Sequence, residues 1–273
     1  VPRQTTLGWQ WAMNAATAGR SVGMFSLEMD EESLMSREIC RRLSNYGRLS
    51  FQIDVEDVRE QFTGPKWSSQ EVTRMFARLR NPMGKTPSQH FQARLGQEAA
   101  NLSRLKFHVD DRGGLHVNSI RSQARIWSRK TGLDLVVIDY LQLIHGTPNT
   151  RKDLELAEVS QGLKEMAKEL DIAIVLLAQL NRQPEQRGGL PKASDIREAG
   201  AAEQDADVVA LIAEDEEAQR LYEAGEGGRN PEDLKIKQPK RIIIGKNRNG
   251  ETRPQGVPVW LFGSAFHFDD RTR

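Results

Sequence analysis

The chain has 273 residues, 38% hydrophobic and 28% charged, and its 39 lysines and arginines nearly balance 38 aspartates and glutamates. That composition excludes a disordered chain, and the length gives a core of real size in one large α/β domain or two small ones. A net charge of +1 excludes a wholly basic protein but leaves room for a local basic stripe. The apolar runs fall well below the roughly 18 residues that a membrane span needs. No basic-then-apolar segment at the N-terminus reads as a signal peptide. The single cysteine, Cys40, leaves no disulfide framework and no cysteine zinc site, so a reducing compartment is expected.

In chain order, Thr5–Ala18 reads as a helix with Leu7, Trp11 and Met13 on its apolar face, and Ser21–Leu27 as a buried strand ending at Glu28. Asp30 is placed to cap a helix that runs to Ser44. From Tyr46 to about Gln97 the sequence is polar and punctuated by Pro65, Pro82 and Pro87, which predicts a helical excursion off the core. Leu105–Asp110 and Leu133–Asp139 read as strands around a Val117–Lys130 helix. The nearly continuous apolar run of the second suits a parallel strand covered on both faces. Leu154–Leu170 is amphipathic, Ile172–Ala178 reads as another buried strand and Ala206–Ala213 as a further one. Arg241–Lys246 and Pro258–Phe262, joined through the Asn249-Gly250 turn, predict a late antiparallel hairpin. Gly225–Asp233 and Thr147–Lys152 are expected to be mobile loops. Trp9, Trp11, Trp127 and Trp260 are expected in the core. Strand–helix alternation at this spacing makes the fold α/β, a mostly parallel twisted sheet flanked by helices.

In such sheets ligands lie beyond the carboxyl ends of the strands. Glu28, Asp139 and Gln179 each follow an apolar run directly. A glutamate, an aspartate and a glutamine at neighbouring strand ends can serve a water, a hydrated Mg2+ and a phosphate, which is what nucleotide hydrolysis requires. Each residue alone reads as a polar stop after a strand; the trio reads as a nucleotide hydrolase. The histidines show no metal spacing, and no Ser-His-Asp arrangement can be argued.

Six segments then carry a resemblance: Phe25–Met29, Val137–Leu143, Gln179–Arg182, Ser194–Gly200, Glu203–Asp207 and Ile242–Gly250. In this order they closely resemble the C-terminal, RecA-like motor domain of the DnaB family of replicative DNA helicases. The resemblance covers nearly the whole chain and is weakest over about 46–100. It implies a single RecA-like ATPase domain over 1–273, with the family's N-terminal domain absent from this chain. It further implies a homo-hexameric ring around single-stranded DNA, with ATP and Mg2+ bound between subunits. A primase and a helicase loader are the expected protein partners, in the cytoplasm of a bacterium or serving a phage or plasmid replicon, with no membrane partner.

Residue by residue, the resemblance implies that Glu28 orients and deprotonates the attacking water. Asp139 holds Mg2+ through a water, and Gln179 senses the γ-phosphate. Arg3, Gln4, Thr5 and Thr6 fall at the phosphate loop, with Thr5 also on Mg2+, and Arg37 lies near the base. Lys246 and Arg248, two apart on a strand and so on one side of it, would reach the nucleotide of the next subunit, Arg248 as an arginine finger. Arg182 and Arg187 in one loop, and Arg197, Glu198 and Gly200 in a second, fall where the family contacts DNA, through phosphates and with little base specificity.

One departure bears on activity. The family's phosphate loop reads G-x-x-x-x-G-K-[ST]-[ST], whereas Val1–Leu7 carries no Gly-Lys pair between Gln4 and Thr5. Two readings stay open here: a chain that has lost ATP binding, and a sequence from which loop residues are omitted. The first makes the chain an ATPase-deficient subunit that binds DNA or assembles with a partner, and the otherwise complete hydrolysis set opposes it. A recombinase or circadian-type ATPase of the same fold is a further alternative, disfavoured by Asp139–Leu143 and Lys246–Gly250. Asn81–Thr86 mimics the end of a phosphate loop, but Leu79 stands where a glycine is needed and the preceding stretch is helical in pattern, so it reads as a surface turn.

Overall fold

Val22–Ser26 (β1) is buried at every position, and the first half of the molecule is assembled around it. The computed structural model describes residues 3–44, 89–146, 151–181, 189–196, 200–235, 237–263 and 267–271. Phe107–Asp110 (β2) pairs with β1 on one side and Leu135–Asp139 (β3) on the other, and Ala173–Leu176 (β4) extends the sheet beyond β3. All of these pairings are parallel, in the order β2-β1-β3-β4. Alternation along the strands sends Val22, Met24 and Val137 to one face and Phe25, Val136 and Ile138 to the other. Both faces are covered, so β1 and β3 carry apolar runs where a half-exposed strand would alternate.

Helix α1 (Arg3–Thr17) covers the first face with Trp9, Ala12 and Met13, joined by Leu34 of α2 (Glu31–Ser44). Helices α4 (Val117–Thr131) and α5 (Lys152–Leu170) cover the second with Ile120, Trp127, Val159 and Leu163. Asp30 caps α2 as expected, its Oδ1 accepting from the Ser33 amide at 2.6 Å. The carboxylate of Glu38, fully buried, fastens α2 to α1. It accepts from Trp9 Nε1 at 3.1 Å, from Arg41 Nε and Nη2 at 2.8 and 2.7 Å, and from Arg42 Nε at 2.6 Å. Arg42 also reaches Glu98 of α3 (Gln89–Leu102) at 3.2 Å, so one ionic cluster gathers three helices. A buried charge persists only when paired in this way.

The late hairpin is real and larger than expected. Gln238–Asn247 (β6) and Arg253–Phe262 (β7) are the middle pair of a four-stranded antiparallel sheet, flanked by Val208–Glu214 (β5) and His267–Asp270 (β8). Along β5 buried and exposed positions alternate, and the buried Val209, Leu211 and Ala213 pack with Ile243 against Leu180, Ala193 and Ile196 on the face opposite α1. The continuous apolar run Val208–Ala213 hid this alternation. Helix α1 links the two sheets. Its Leu7 is buried with Val259, Leu261 and Phe268, and the Gln10 amide exchanges hydrogen bonds of 2.8 and 2.6 Å with the Phe268 backbone. Two short helices, α6 (Gly200–Asp205) and α7 (Glu216–Glu223), flank β5 in sequence.

Other expectations shift at the margins. β4 is shorter than the apolar run from which it was expected, because it lies at the sheet edge and its residues are half-buried or exposed. Trp9 and Trp127 are buried, but Trp11 is 39% exposed on the outer side of α1. Glu226–Gly228 and Pro231–Lys235 wind into short 3-10 turns where a mobile loop was expected. Most of the 46–100 excursion, the Asn81–Thr86 turn and residues 147–150 lie outside the described residues, save α3 at its end. Among the described residues no helix is long and apolar enough to cross a membrane.

Gly23 shows how tightly β1 is held. A Cβ built there would lie 2.6 Å from the ring carbons of Trp127, which tilts against Phe25 at 4.8 Å and stacks on His108 at 5.5 Å. Gly23→Ala should therefore lower unfolding free energy by about 1–3 kcal/mol, the usual cost of overpacking, measured by urea titration. An unchanged midpoint would show that Trp127 yields freely.

Candidate functional site

The carboxyl ends of β1, β3 and β4 converge with the first turn of α1. Asp139, the last residue of β3, is fully buried, and neither of its carboxylate oxygens has a hydrogen-bond partner among the described residues. Thr5, in the first turn of α1, is likewise buried with its hydroxyl unpartnered. Burial pushes the Asp139 carboxyl up to about 6. The nearby Thr5 hydroxyl and the Arg37 guanidinium oppose the rise, and the Glu28 carboxylate adds to it. Four residues singled out in the sequence, Thr5, Glu28, Arg37 and Asp139, thus act on one another across the strand ends. Glu28 itself is exposed, two residues beyond β1, and the Leu27 amide donates to the Asp139 carbonyl at 2.8 Å to hold the two strand ends in register. Arg37 projects from α2 and donates to Met29 Sδ at 2.8 Å.

Buried polar atoms left without partners are rare enough to demand an explanation. A carboxylate and a hydroxyl facing one another, both hard oxygen donors, suit a cation such as Mg2+ that keeps most of its waters. The residues therefore fit the cation half of a nucleotide site. On the phosphate half, α1 runs unbroken from Arg3 through Thr6. Arg3 and Gln4 thus stand directly ahead of the threonine pair, where the phosphate-loop pattern has Gly-Lys. The Arg3 guanidinium is turned to Glu214, which also pairs with the buried Lys240 of β6. Gln4 is half-buried and brings a neutral amide donor. Thr6 is buried beside Thr5.

Gln179 lies three residues beyond β4, and its position is set by a residue whose role the sequence alone does not reveal. The Gln142 side chain accepts from the Gln179 amide at 3.3 Å and donates to the Gln179 carbonyl at 3.4 Å. The Leu141 amide donates to the Leu177 carbonyl at 2.8 Å just below. The turn after β3 and the segment after β4 are therefore coupled through backbone contacts.

Lys246 and Arg248 form a second cluster. Lys246 Nζ donates to the carbonyls of Glu203 and Gln204 at 2.6 and 2.8 Å. Arg248 donates to the Gln204 carbonyl at 2.9 Å and to Asp207 Oδ1 at 3.1 Å, and its amide to the Asp207 carbonyl at 2.9 Å. Both cations share the carbonyl end of α6, where helix polarity favours them. Asp207, which ends the Glu203–Asp207 segment and which Lys164 also contacts at 2.5 Å, has no role assigned from the sequence. The Lys164 hydrogen bond, with the Lys164 and Arg248 charges, holds its carboxyl below the usual range. Leu7 of α1 packs near Ile212 and Ile242. The side-chain partners of Arg248 are Gln204 and Asp207, not the strand-end residues Thr5, Glu28 and Asp139. Gly200 opens α6 and is exposed, whereas Arg182, Arg187, Arg197 and Glu198 lie outside the described residues.

A parallel sheet with a buried aspartate and a glutamate at its strand ends, and a threonine-led helix over them, defines a RecA-like ATPase module. The chain belongs to the DnaB-like helicase C terminal domain family, whose model matches residues 3–259. It is 35% identical over 249 residues to the replicative DNA helicase DnaB of Rickettsia felis, covering 88% of this chain and 43% of that protein. It is 31% identical over 252 residues to that of Geobacillus stearothermophilus, covering 90% and 46%. The chain thus spans less than half the length of these relatives. Among solved structures, a DnaB-like replicative helicase, described with its interactions with primase, superposes with a TM-score of 0.72 at 26% identity, over 98% of this chain and 56% of that one. A second solved structure, described as an ATPase domain, gives 0.72 at 25%, over 98% and 81%.

The raised pKa of Asp139 has a sign. In the window between the ordinary aspartate value of 3.8 and about 6, the folded chain binds a proton that the unfolded chain does not. Stability from this group is present below that window and is lost as pH rises through it. Asp139→Asn should therefore stabilise the metal-free protein at pH 8 by about 1–3 kcal/mol, since each tenfold change in proton affinity is worth about 1.4 kcal/mol, and change little at pH 3.5. Thermal melts at the two pH values check this; equal effects at both would assign the change to packing.

Proposed function

We propose that this chain is the ATP-driven motor of a replicative DNA helicase, a single RecA-like domain over 1–273 working in a homo-hexameric ring. The ring would unwind duplex DNA while moving on single-stranded DNA. The observation that carries this reading is the pair of buried oxygen groups of Thr5 and Asp139, which meet no partner among the described residues beyond each other, beside Glu28. ATP with Mg2+ supplies the phosphoanhydride bond whose hydrolysis drives movement. Thr5 and Asp139 would hold the cation, with Gln4 and Thr6 beside the phosphates. Arg3, paired with Glu214, would steady the start of α1. Glu28, exposed at the strand end, would orient a water and accept its proton. Gln179, fixed by Gln142, would carry the state of the site into the loop containing Arg182 and Arg187. Arg37 would balance the charge of Glu28 and Asp139.

Arg248 is held by Gln204 and Asp207 and not by the strand-end residues, which supports action in trans, in which Lys246 and Arg248 complete the site of the next subunit and Asp207 aims the guanidinium. Head-to-tail contacts of this kind close into rings when the rotation permits. Single-stranded DNA would pass the loops bearing Arg182, Arg187, Arg197, Glu198 and Gly200, gripped by its phosphates. A primase is a fitting partner because a structural relative is described with its primase interactions. A loader and a cytoplasmic site of action in a bacterium, or a phage or plasmid replicon, complete the proposal.

The test uses two variants. Glu28→Gln and Arg248→Ala should each lower DNA-stimulated ATP hydrolysis at least about 100-fold while leaving nucleotide binding nearly unchanged. Mixed subunits should recover part of the activity, since some interfaces then join an intact Glu28 to an intact Arg248. No recovery at any ratio would place Arg248 in cis, and loss of binding by Glu28→Gln would make that residue structural.

A further inference from the structure

The face of the antiparallel sheet turned away from α1 carries a cavity of about 500 Å³. Alternation along the strands puts Val259, Leu261 and Ile242 on the Leu7 side and Trp260 and Arg241 on the other. Tyr222 of α7 and Trp260 form the walls, edge to face with centroids 5.3 Å apart. Four cationic side chains, Arg229, Lys237, Arg241 and Arg271, line the cavity against the carboxylates Asp215 and Glu217. Lys237 and Arg271 lie 4.8 and 5.4 Å from the Trp260 ring centre, and Arg229 lies 5.7 Å from that of Tyr222.

The existing partners leave this charge only partly answered. Buried Asp215 serves both neighbouring arginines, with Oδ2 2.6 Å from Arg271 Nη2 and 3.1 Å from Arg241 Nε. Lys237 reaches Asp233 at 3.2 Å, and Arg229 Nη1 donates to the Glu226 carbonyl at 3.0 Å. Arg271 Nη1 is buried and meets no acceptor among the described residues. Buried donors are nearly always satisfied, and Arg271 lines a cavity wide enough for a small ligand.

We propose that this cavity is a second anion site, separate from the strand ends, that takes a phosphate-bearing group the size of pyrophosphate or a nucleotide. Guanidinium forks match phosphate oxygens bidentately. Cations arriving from separate segments surround a tetrahedral group better than a flat carboxylate, and Asp215 already supplies the one carboxylate that Arg241 and Arg271 share. The aromatic walls hold the cations by their faces and keep water from their flanks. None of these residues belongs to the hydrolysis set, so this site stands or falls independently of the motor proposal.

Titration of the whole chain with sodium pyrophosphate, followed by calorimetry and tryptophan fluorescence, tests it. Saturable binding is expected, weakened by about tenfold or more when Arg229→Ala is combined with Lys237→Ala, with an unchanged circular-dichroism spectrum required of the double variant. Trp260→Phe should remove the fluorescence change while calorimetric binding persists. Displacement of pyrophosphate by an oligothymidylate would identify the ligand as a nucleic-acid backbone; retention would identify a free phosphorylated small molecule. Absent saturable binding, or affinity unchanged in the double variant, would overturn the proposal, the latter by placing pyrophosphate at the strand ends.

Discussion

A carboxylate buried without a partner is the constraint around which this structure is arranged. Asp139 ends a strand packed on both faces, so its side chain emerges into a space that the sheet, α1 and α2 have already closed to solvent. Burial holds its carboxyl near 6, and the groups that temper that cost, Thr5 and Arg37, come from two different helices. Removing such a group from water is costly unless something compensates. Here the compensation fits a cation shared with Thr5. The threonine stands in the first turn of a helix whose next residues are themselves buried, so its place over the strand ends is fixed by packing and not by the site.

That same helix ties the two sheets together. Trp9 and Met13 cover the parallel sheet, Leu7 enters the antiparallel one and Gln10 pairs with the Phe268 backbone. The end of β6 carries Lys246, and the turn just beyond it Arg248, both on the carbonyls of α6. Helix α6 directly follows Arg197 and Glu198 in the chain.

Much of this was legible in the sequence because burial and hydrolysis leave different signatures. Apolar runs that stop at Glu28 and Asp139 mark the ends of covered strands, and the structure brings these two residues into electrostatic reach of each other; Gln179 lies three residues beyond β4, an edge strand that is only half-buried. The Lys246–Arg248 spacing also survives, since both side chains reach the carbonyl of Gln204. Interactions that depend on what a polar residue meets across the fold were not legible. Gln142 and Asp207 lie in segments that carry the resemblance, but the contacts of Gln142 with the Gln179 backbone and of Asp207 with Arg248 appear only in the structure. Glu38 and Lys240 occupy positions that suggest surface charge, yet both are buried in ion pairs. The antiparallel sheet was seen only as a hairpin because Val208–Ala213 is apolar throughout and β8 is too short to stand out.

Binding of Mn2+ in place of Mg2+ in the presence of ADP, followed by electron paramagnetic resonance, probes the Thr5–Asp139 centre most directly. The unaltered chain should bind one manganese ion per chain, with affinity falling as pH drops below about 6 and the Asp139 carboxyl takes up its proton. Asp139→Asn should abolish that binding, and Thr5→Ala should weaken it by about tenfold. Unchanged manganese affinity in Asp139→Asn, or affinity that does not vary between pH 5 and pH 8 in the unaltered chain, would contradict a cation site at the end of β3.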